Sequence, residues 1–319
     1  MRQSALDAVY ALAQRDPRVV FIGSDLGPGL LDGFKNELPE RFYMEGVSEQ
    51  GIIGMAAGMA MNGFIPYVNT IATFLTRRCY EQVAIDVCLH ALPVRLLGNG
   101  GGAVYAPLGP THMALEDIGI MRALPGMTIV CPADAQEMTR AVEATLNWPD
   151  PVYLRFGKGG DPIVSSAEHG FAIGEGITMR AGSDVGIIST GIMTSRALAA
   201  AELLAAAGID PSVLHIHTIK PLDERAVREL ARTHELVVTI EEHSRVGGLG
   251  SAVSDVLAEA DIITPQLRLA FPDAFSSTYG SQDSQLQSVG LQPNQLAEQI
   301  RRKLETRVSD RRRVVKTYA

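Results

Sequence analysis

Uninterrupted apolar stretches alternate along this chain with segments whose apolar positions recur every three or four residues. VVFIGSD (19–25), FYMEGV (42–47), IPYVN (65–69), VRLLGN (94–99), MTIVCPA (127–133) and PVYLRF (151–156) have the continuous apolar character of strands covered on both faces. Between them, 3–15, 48–63, 74–90 and 134–146 carry the helical period. The alternation restarts further on, with DVGIIST (184–190), SVLHIHT (212–218), ELVVTIEEH (235–243) and LRLAFP (267–272) as strands. Helices are predicted there over 194–208, 224–233, 251–260 and 293–304. Strands that alternate with helices predict parallel sheets built by right-handed crossovers. The expected fold class is therefore α/β, two consecutive doubly wound domains: 1–165, and a smaller one over 184–304. Residues 166–183 read as a glycine-containing linker, and 305–319 as a mobile basic tail.

Composition narrows the picture. The chain has 319 residues, 46% hydrophobic and 20% charged, and a formal net charge of −8. This is ordinary globular composition, and its sign argues against a nucleic-acid-binding body. The average hides a split: eight of the 28 Lys/Arg and two of the 36 Asp/Glu lie in 301–319, leaving 20 against 34 elsewhere. No apolar run approaches the roughly 20 residues of a membrane span. The first residues form an amphipathic helix with an acidic residue and no small-residue cleavage site, so no signal peptide is expected. Cys79, Cys88 and Cys131 lack a close pair, which fits reduced, buried thiols and predicts a cytoplasmic location.

In an open parallel sheet, ligands sit beyond the carboxyl ends of the strands. Glu49 stands there, in the first turn of a helix studded with Gly51, Gly54 and Gly58. The helix macrodipole is a sufficient reason for a glutamate in that turn, with Ser48 as the cap. Yet each glycine costs about 1 kcal/mol of helix stability against alanine. Such a helix is built for close packing, in the interior or at a subunit contact. A carboxylate beside an apolar interface favours its neutral form and can exchange a proton. His112, in GPTH after a glycine-rich loop, is either structural or a general acid–base. Phe74, Arg77 and Tyr80 share a helical stripe that reads as core with a snorkelling arginine. The stripe could also serve as a platform for a flat heteroaromatic ring. Arg155 and Lys158 bracket Gly157 at a strand end, a setting for an anion. His215 and His217 alternate on a strand without a third ligand and read as packing groups. GPGLLDG (27–33) follows a strand but lacks the GxGxxG spacing of a dinucleotide loop.

EGVSEQGIIGMAAGMA, TFLTRRCYEQV, GPTHMALEDIGIMRALPGMTIVCPADAQE and PVYLRFGKGG, in that order, resemble the pyrimidine-binding domain of transketolases. TIKPLD and EEHSRVGGLGSAV resemble the transketolase C-terminal domain, so the resemblance covers residues 3 to about 304. The GDG signature of the diphosphate-binding domain is absent. The resemblance implies the C-terminal subunit of a split transketolase, with thiamine diphosphate shared with a separate N-terminal, diphosphate-binding subunit. That partner would hold the Mg2+ or Ca2+, and the assembly would be α2β2. It further implies that Glu49 hydrogen-bonds the ring nitrogen of the aminopyrimidine and that Phe74 packs on that ring, with Arg77 and Tyr80 at neighbouring contact positions. His112 would handle substrate hydroxyl protons, Arg155 and Lys158 would bind an acceptor phosphate, and Asp25 would lie near the subunit junction.

The chain also departs from the family pattern. Ordinary transketolases carry, four residues before the histidine, an aspartate that reads the sugar's C2 hydroxyl; here Leu108 stands in its place. Glycines of GNGGG replace polar residues of the same loop. Leaving a substrate hydroxyl against leucine costs on the order of 1–3 kcal/mol. The expectation is therefore two-carbon ketol transfer from a ketose to an aldehyde on a specialised substrate. Two competitors stand beside it: a pyruvate-using 2-oxoacid E1 β-like or deoxyxylulose-phosphate-synthase-like subunit, and a non-catalytic regulatory subunit.

Overall fold

The computed structural model describes residues 1–24, 29 and 31–317, with side chains as far as residue 307. Twelve strands are present among them: β1 (Val19–Gly23), β2 (Phe42–Met44), β3 (Ile65–Ile71), β4 (Arg95–Asn99), β5 (Thr128–Val130), β6 (Val152–Phe156), β7 (Ile177–Arg180), β8 (Val185–Ser189), β9 (Pro211–His215), β10 (Thr218–Lys220), β11 (Val237–Ser244) and β12 (Gln266–Phe271). They form a seven-stranded sheet in the order β10-β5-β6-β4-β3-β1-β2 and a five-stranded sheet in the order β12-β11-β8-β9-β7. The fold is the α/β architecture expected, with mostly parallel sheets. Only the edge pairs β10–β5 and β7–β9 are antiparallel.

Those two edges depart from the expected organisation. The stretch 166–183, read as linker, contains β7, which pairs with β9 of the second sheet. The segment TIKPLD, read as part of the second domain, instead supplies β10 to the first sheet, with Thr218 opposite Val130. With four and three residues, β7 and β10 are too short to carry a legible alternation of their own. The last helix also runs past its expected end, from Pro293 to Thr317, through the stretch read as a mobile tail.

Side chains explain the close association. Continuous buried runs such as VVFIG and RLLGN are flanked by helices on both faces. One core joins Ile22, Ile53, Val68 and Leu96 of the first domain to Ile188, Ile216, Leu249 and Val253 of the second. The two domains therefore share an interior rather than touching at a surface. Among the described residues no helix is long and apolar enough to cross a membrane.

Candidate functional site

The chain passes from β1 to β2 on one side and then returns across β1 to β3 on the other, so the strand order reverses between β1 and β3. The carboxyl ends of strands splay apart at such a reversal and leave a crevice. Ser24, just past β1, and Thr70, near the end of β3, meet across it with their hydroxyl oxygens 2.9 Å apart. Helix Glu49–Met61, which joins β2 to β3, begins at the same place. Its Ile52, Ile53, Ala56 and Ala60 are buried in the core, and this anchors its first turn over the crevice. Glu49 is only 3% exposed. Its carboxylate accepts from the Ser24 hydroxyl at 3.4 Å and from the Arg78 guanidinium at 2.6 Å. Ser48 makes no side-chain cap bond, so the capping role expected of it is not seen.

Arg78 was not among the residues singled out from the sequence. The segment Phe74–Arg78 is a π-helical turn, not the regular helix expected over 74–90. Its i→i+5 bonding widens the turn, a distortion common at functional sites. In a widened turn position i+4 lies over position i, and i+3 swings aside. The Arg78 guanidinium carbon accordingly sits 4.2 Å from the centre of the Phe74 ring. Arg77 points elsewhere. It pairs with Glu116 at 2.9 Å and donates to the Thr111 carbonyl at 3.0 Å, bracing the turn that carries His112. The His112 ring meets Phe74 edge-on at 5.1 Å, and its Nδ1 lies 2.9 Å from the Thr111 hydroxyl. Tyr80 donates to the Ile120 carbonyl at 3.1 Å and so faces helix Asp117–Arg122 rather than this cluster.

Ser24, Glu49, Thr70, Phe74, Arg78 and His112 thus come together, whereas the expected anion clamp does not form. Lys158 is exposed, but Arg155 is buried and pairs with Asp117 at 2.7 Å. It also donates to the carbonyls of Ala114 (3.0 Å) and Glu242 (2.8 Å). Burial alone would lower the Arg155 pKa; Asp117 reverses this and holds it above the usual arginine value. Asp25 lies outside the described residues.

The glycine loop after β4 is threaded through this buried network. Gly102 has φ +76°, and a Cβ there would run into the Glu242 carboxylate. Glycine is what this approach requires. Ala103 then donates its backbone N–H to that carboxylate at 2.9 Å, and Gln282 donates at 2.8 Å. Burial pushes the Glu242 pKa above its ordinary value. The second domain thereby fixes the start of the loop that ends at His112. Leu108, in the same loop, is half exposed at 52%. A cleft of about 430 Å³ lies between the domains, lined by Arg77, Pro110, Met113, Glu116, Asp273 and Phe275.

A two-domain α/β chain whose larger sheet carries a buried carboxylate and an aromatic face at its reversal point has them where open α/β sheets bind ligands. The comparisons are more specific. The model of the transketolase pyrimidine-binding domain matches residues 1–160, and that of the transketolase C-terminal domain matches 174–296. The chain belongs to the transketolase family. A 6-deoxy-6-sulfo-D-fructose transketolase subunit of a Clostridium species is 38% identical over 86% of this chain and 85% of its own length. A 1-deoxy-D-xylulose-5-phosphate synthase of a Synechococcus species is 38% identical over 94% of this chain, which spans only 47% of that protein. A solved split gene transketolase, an inactive beta4 tetramer, is 35% identical, with a TM-score of 0.88 over 95% of this chain and 98% of that one.

Proposed function

We propose that this chain is the pyrimidine-side subunit of a thiamine diphosphate-dependent transferase that moves a two-carbon ketol unit from a ketose to an aldehyde. It would act with a separate diphosphate-binding chain in an α2β2 assembly. The observation that carries the reading is the buried Glu49 carboxylate beside the Phe74 face at the sheet reversal. The relatives support it: a chain of about this length matches subunits nearly end to end, but only half of a single-chain synthase.

The residues present fit the cofactor's ring. A carboxylate and an aromatic face are the donor set a protonatable flat heterocycle requires. The buried Thr73 hydroxyl and the Asn69 and Asn99 side-chain oxygens, on the segments that end β3 and β4, have no hydrogen-bond partner among the described residues. Among the described residues no group of three His, Cys, Asp or Glu could hold a metal ion. The family resemblance alone assigns the Mg2+ or Ca2+ to the partner. When bound, thiamine diphosphate supplies the nucleophilic carbon for the transfer. Glu49 would hold a proton against the pyrimidine ring nitrogen, and Phe74 would fix the ring's plane. His112, set by Arg77 through the Thr111 carbonyl, would exchange protons with substrate hydroxyls. Leu108 would leave one hydroxyl of an ordinary pentose without a partner, which favours a specialised sugar, and Lys158, exposed just past the end of β6, would be left to meet an acceptor phosphate. Cys79, Cys88 and Cys131 are free and buried, in keeping with a cytoplasmic enzyme.

Mixing the two chains tests the proposal. The chain alone should not turn over a ketose, activity should appear with its partner, and Glu49→Gln should abolish it while the complex still assembles. Full activity of the single chain would overturn the split arrangement. The synthase relatives favour a second reading, condensation with pyruvate. Carbon dioxide release from pyruvate, measured against ketol transfer by the same complex, separates the two.

A further inference from the structure

Arg78 makes both contacts that the reading above assigns to the cofactor's ring. Its guanidinium donates to the Glu49 carboxylate at 2.6 Å and lies 4.2 Å over the Phe74 ring. Chemically a guanidinium is a close stand-in for a protonated aminopyrimidine. Both are planar, delocalised cations that donate N–H to a carboxylate and stack on an aromatic face. The arginine is also free to leave: its side chain is 40% exposed, whereas the Glu49 side chain beneath it is 4% exposed. Within the described residues no second carboxylate pairs with Arg78, so the pair is a single exchangeable latch over the crevice.

Resting on that proposed function, we infer that Arg78 occupies the pyrimidine's place in the uncomplexed chain and is displaced when the ring binds. The latch has two consequences. It gives the buried carboxylate a counter-charge before the cofactor arrives, which spares the chain an unpaired buried charge. It also lowers cofactor affinity, because only the fraction of molecules with the arginine swung out can accept the ring. If the arginine is in place about nine-tenths of the time, the apparent affinity falls about tenfold. A chain separated from its diphosphate-binding partner would then ignore free pyrimidines.

The test uses 4-amino-5-hydroxymethyl-2-methylpyrimidine as probe against the single 319-residue chain, followed by saturation-transfer NMR. Thiamine diphosphate is titrated calorimetrically into the two-chain complex in parallel. Arg78→Met should bind the probe about tenfold more tightly than wild type, and Arg78→Lys, which keeps the charge but loses the flat stack, should fall between them. Adding Glu49→Gln to Arg78→Met should remove the gain, which locates the probe at the carboxylate. In the complex Arg78→Met should lower the cofactor Kd by a comparable factor. Equal or weaker probe binding by Arg78→Met overturns the inference, as does a cofactor Kd that is unchanged or raised in its complex. A wild-type complex that binds no cofactor overturns the proposed function itself, and the two failures are thereby told apart.

Discussion

The Asp117 carboxylate is fully buried and takes two short hydrogen bonds, from the Tyr153 hydroxyl and the Arg155 guanidinium, both at 2.7 Å. Removing one partner of such a pair leaves the other charge buried and uncompensated, which costs about 3–5 kcal/mol. Arg155→Met is therefore expected to lower the urea unfolding midpoint sharply. Lys158→Ala, at an exposed position, should move stability by less than about 0.5 kcal/mol. The contrast shows what a sequence hides at this scale. Three residues apart at a strand end, the two cations look equivalent. What separates them is a carboxylate 38 positions away in the chain. Glu49 and His112 stand out by local pattern, a helix start and a glycine loop, whereas the stripe that holds Phe74 reads as core until the family resemblance singles it out. Arg78 was not, since only the widened turn brings it, rather than Arg77, over Phe74.

At the scale of the element, helix Glu49–Met61 is the informative case. Its glycines predict close packing, yet Gly51, Gly54 and Gly58 are exposed, and a Cβ on Gly54 or Gly58 would meet nothing within 4 Å. The apolar half of the helix does the packing inside the chain, through Ile53 and Ala56, while the glycine half faces outward. Within a single chain that arrangement only destabilises, because glycine is about 1 kcal/mol less favourable than alanine in a helix interior. Gly54→Ala and Gly58→Ala should each raise the stability of the isolated chain by about that amount, measured as a higher thermal midpoint. If the proposed partner covers this face, the same variants should assemble with it more weakly, and sedimentation of the mixed chains would report the loss. The ten other strands announced themselves by their apolar runs. The short edges β7 and β10 did not, because pairing rather than composition makes them strands.

Across the whole molecule, the exchange of β10 into the first sheet brings titratable groups of both domains into one interior. The His217 carbonyl accepts from the Cys131 backbone at 2.7 Å, beside the β10–β5 edge. Its ring stacks on Phe171 at 4.2 Å. Next to it, His215 Nε2 and the Glu137 carboxylate of the first domain lie 2.8 Å apart. Burial pulls the His217 pKa down from 6.5 to about 4, with Glu137 opposing the shift and His215 and Arg140 adding to it. Between these two values the unfolded chain binds a proton that the folded chain refuses. His217 thus stabilises the fold fully above pH 6.5, and the contribution is lost as pH falls toward 4. Over that window the loss is on the order of 3 kcal/mol. Glu137 works in the same direction further into acid. Burial would raise its pKa, but the neighbouring histidine more than offsets this and leaves it below the usual carboxylate value. Thermal melts from pH 7 to pH 4.5 should therefore show the midpoint falling steeply below pH 6.5. His217→Gln should flatten that fall even if its midpoint at pH 7 is lower. A wild-type slope unchanged by the substitution would place the acid sensitivity in other groups.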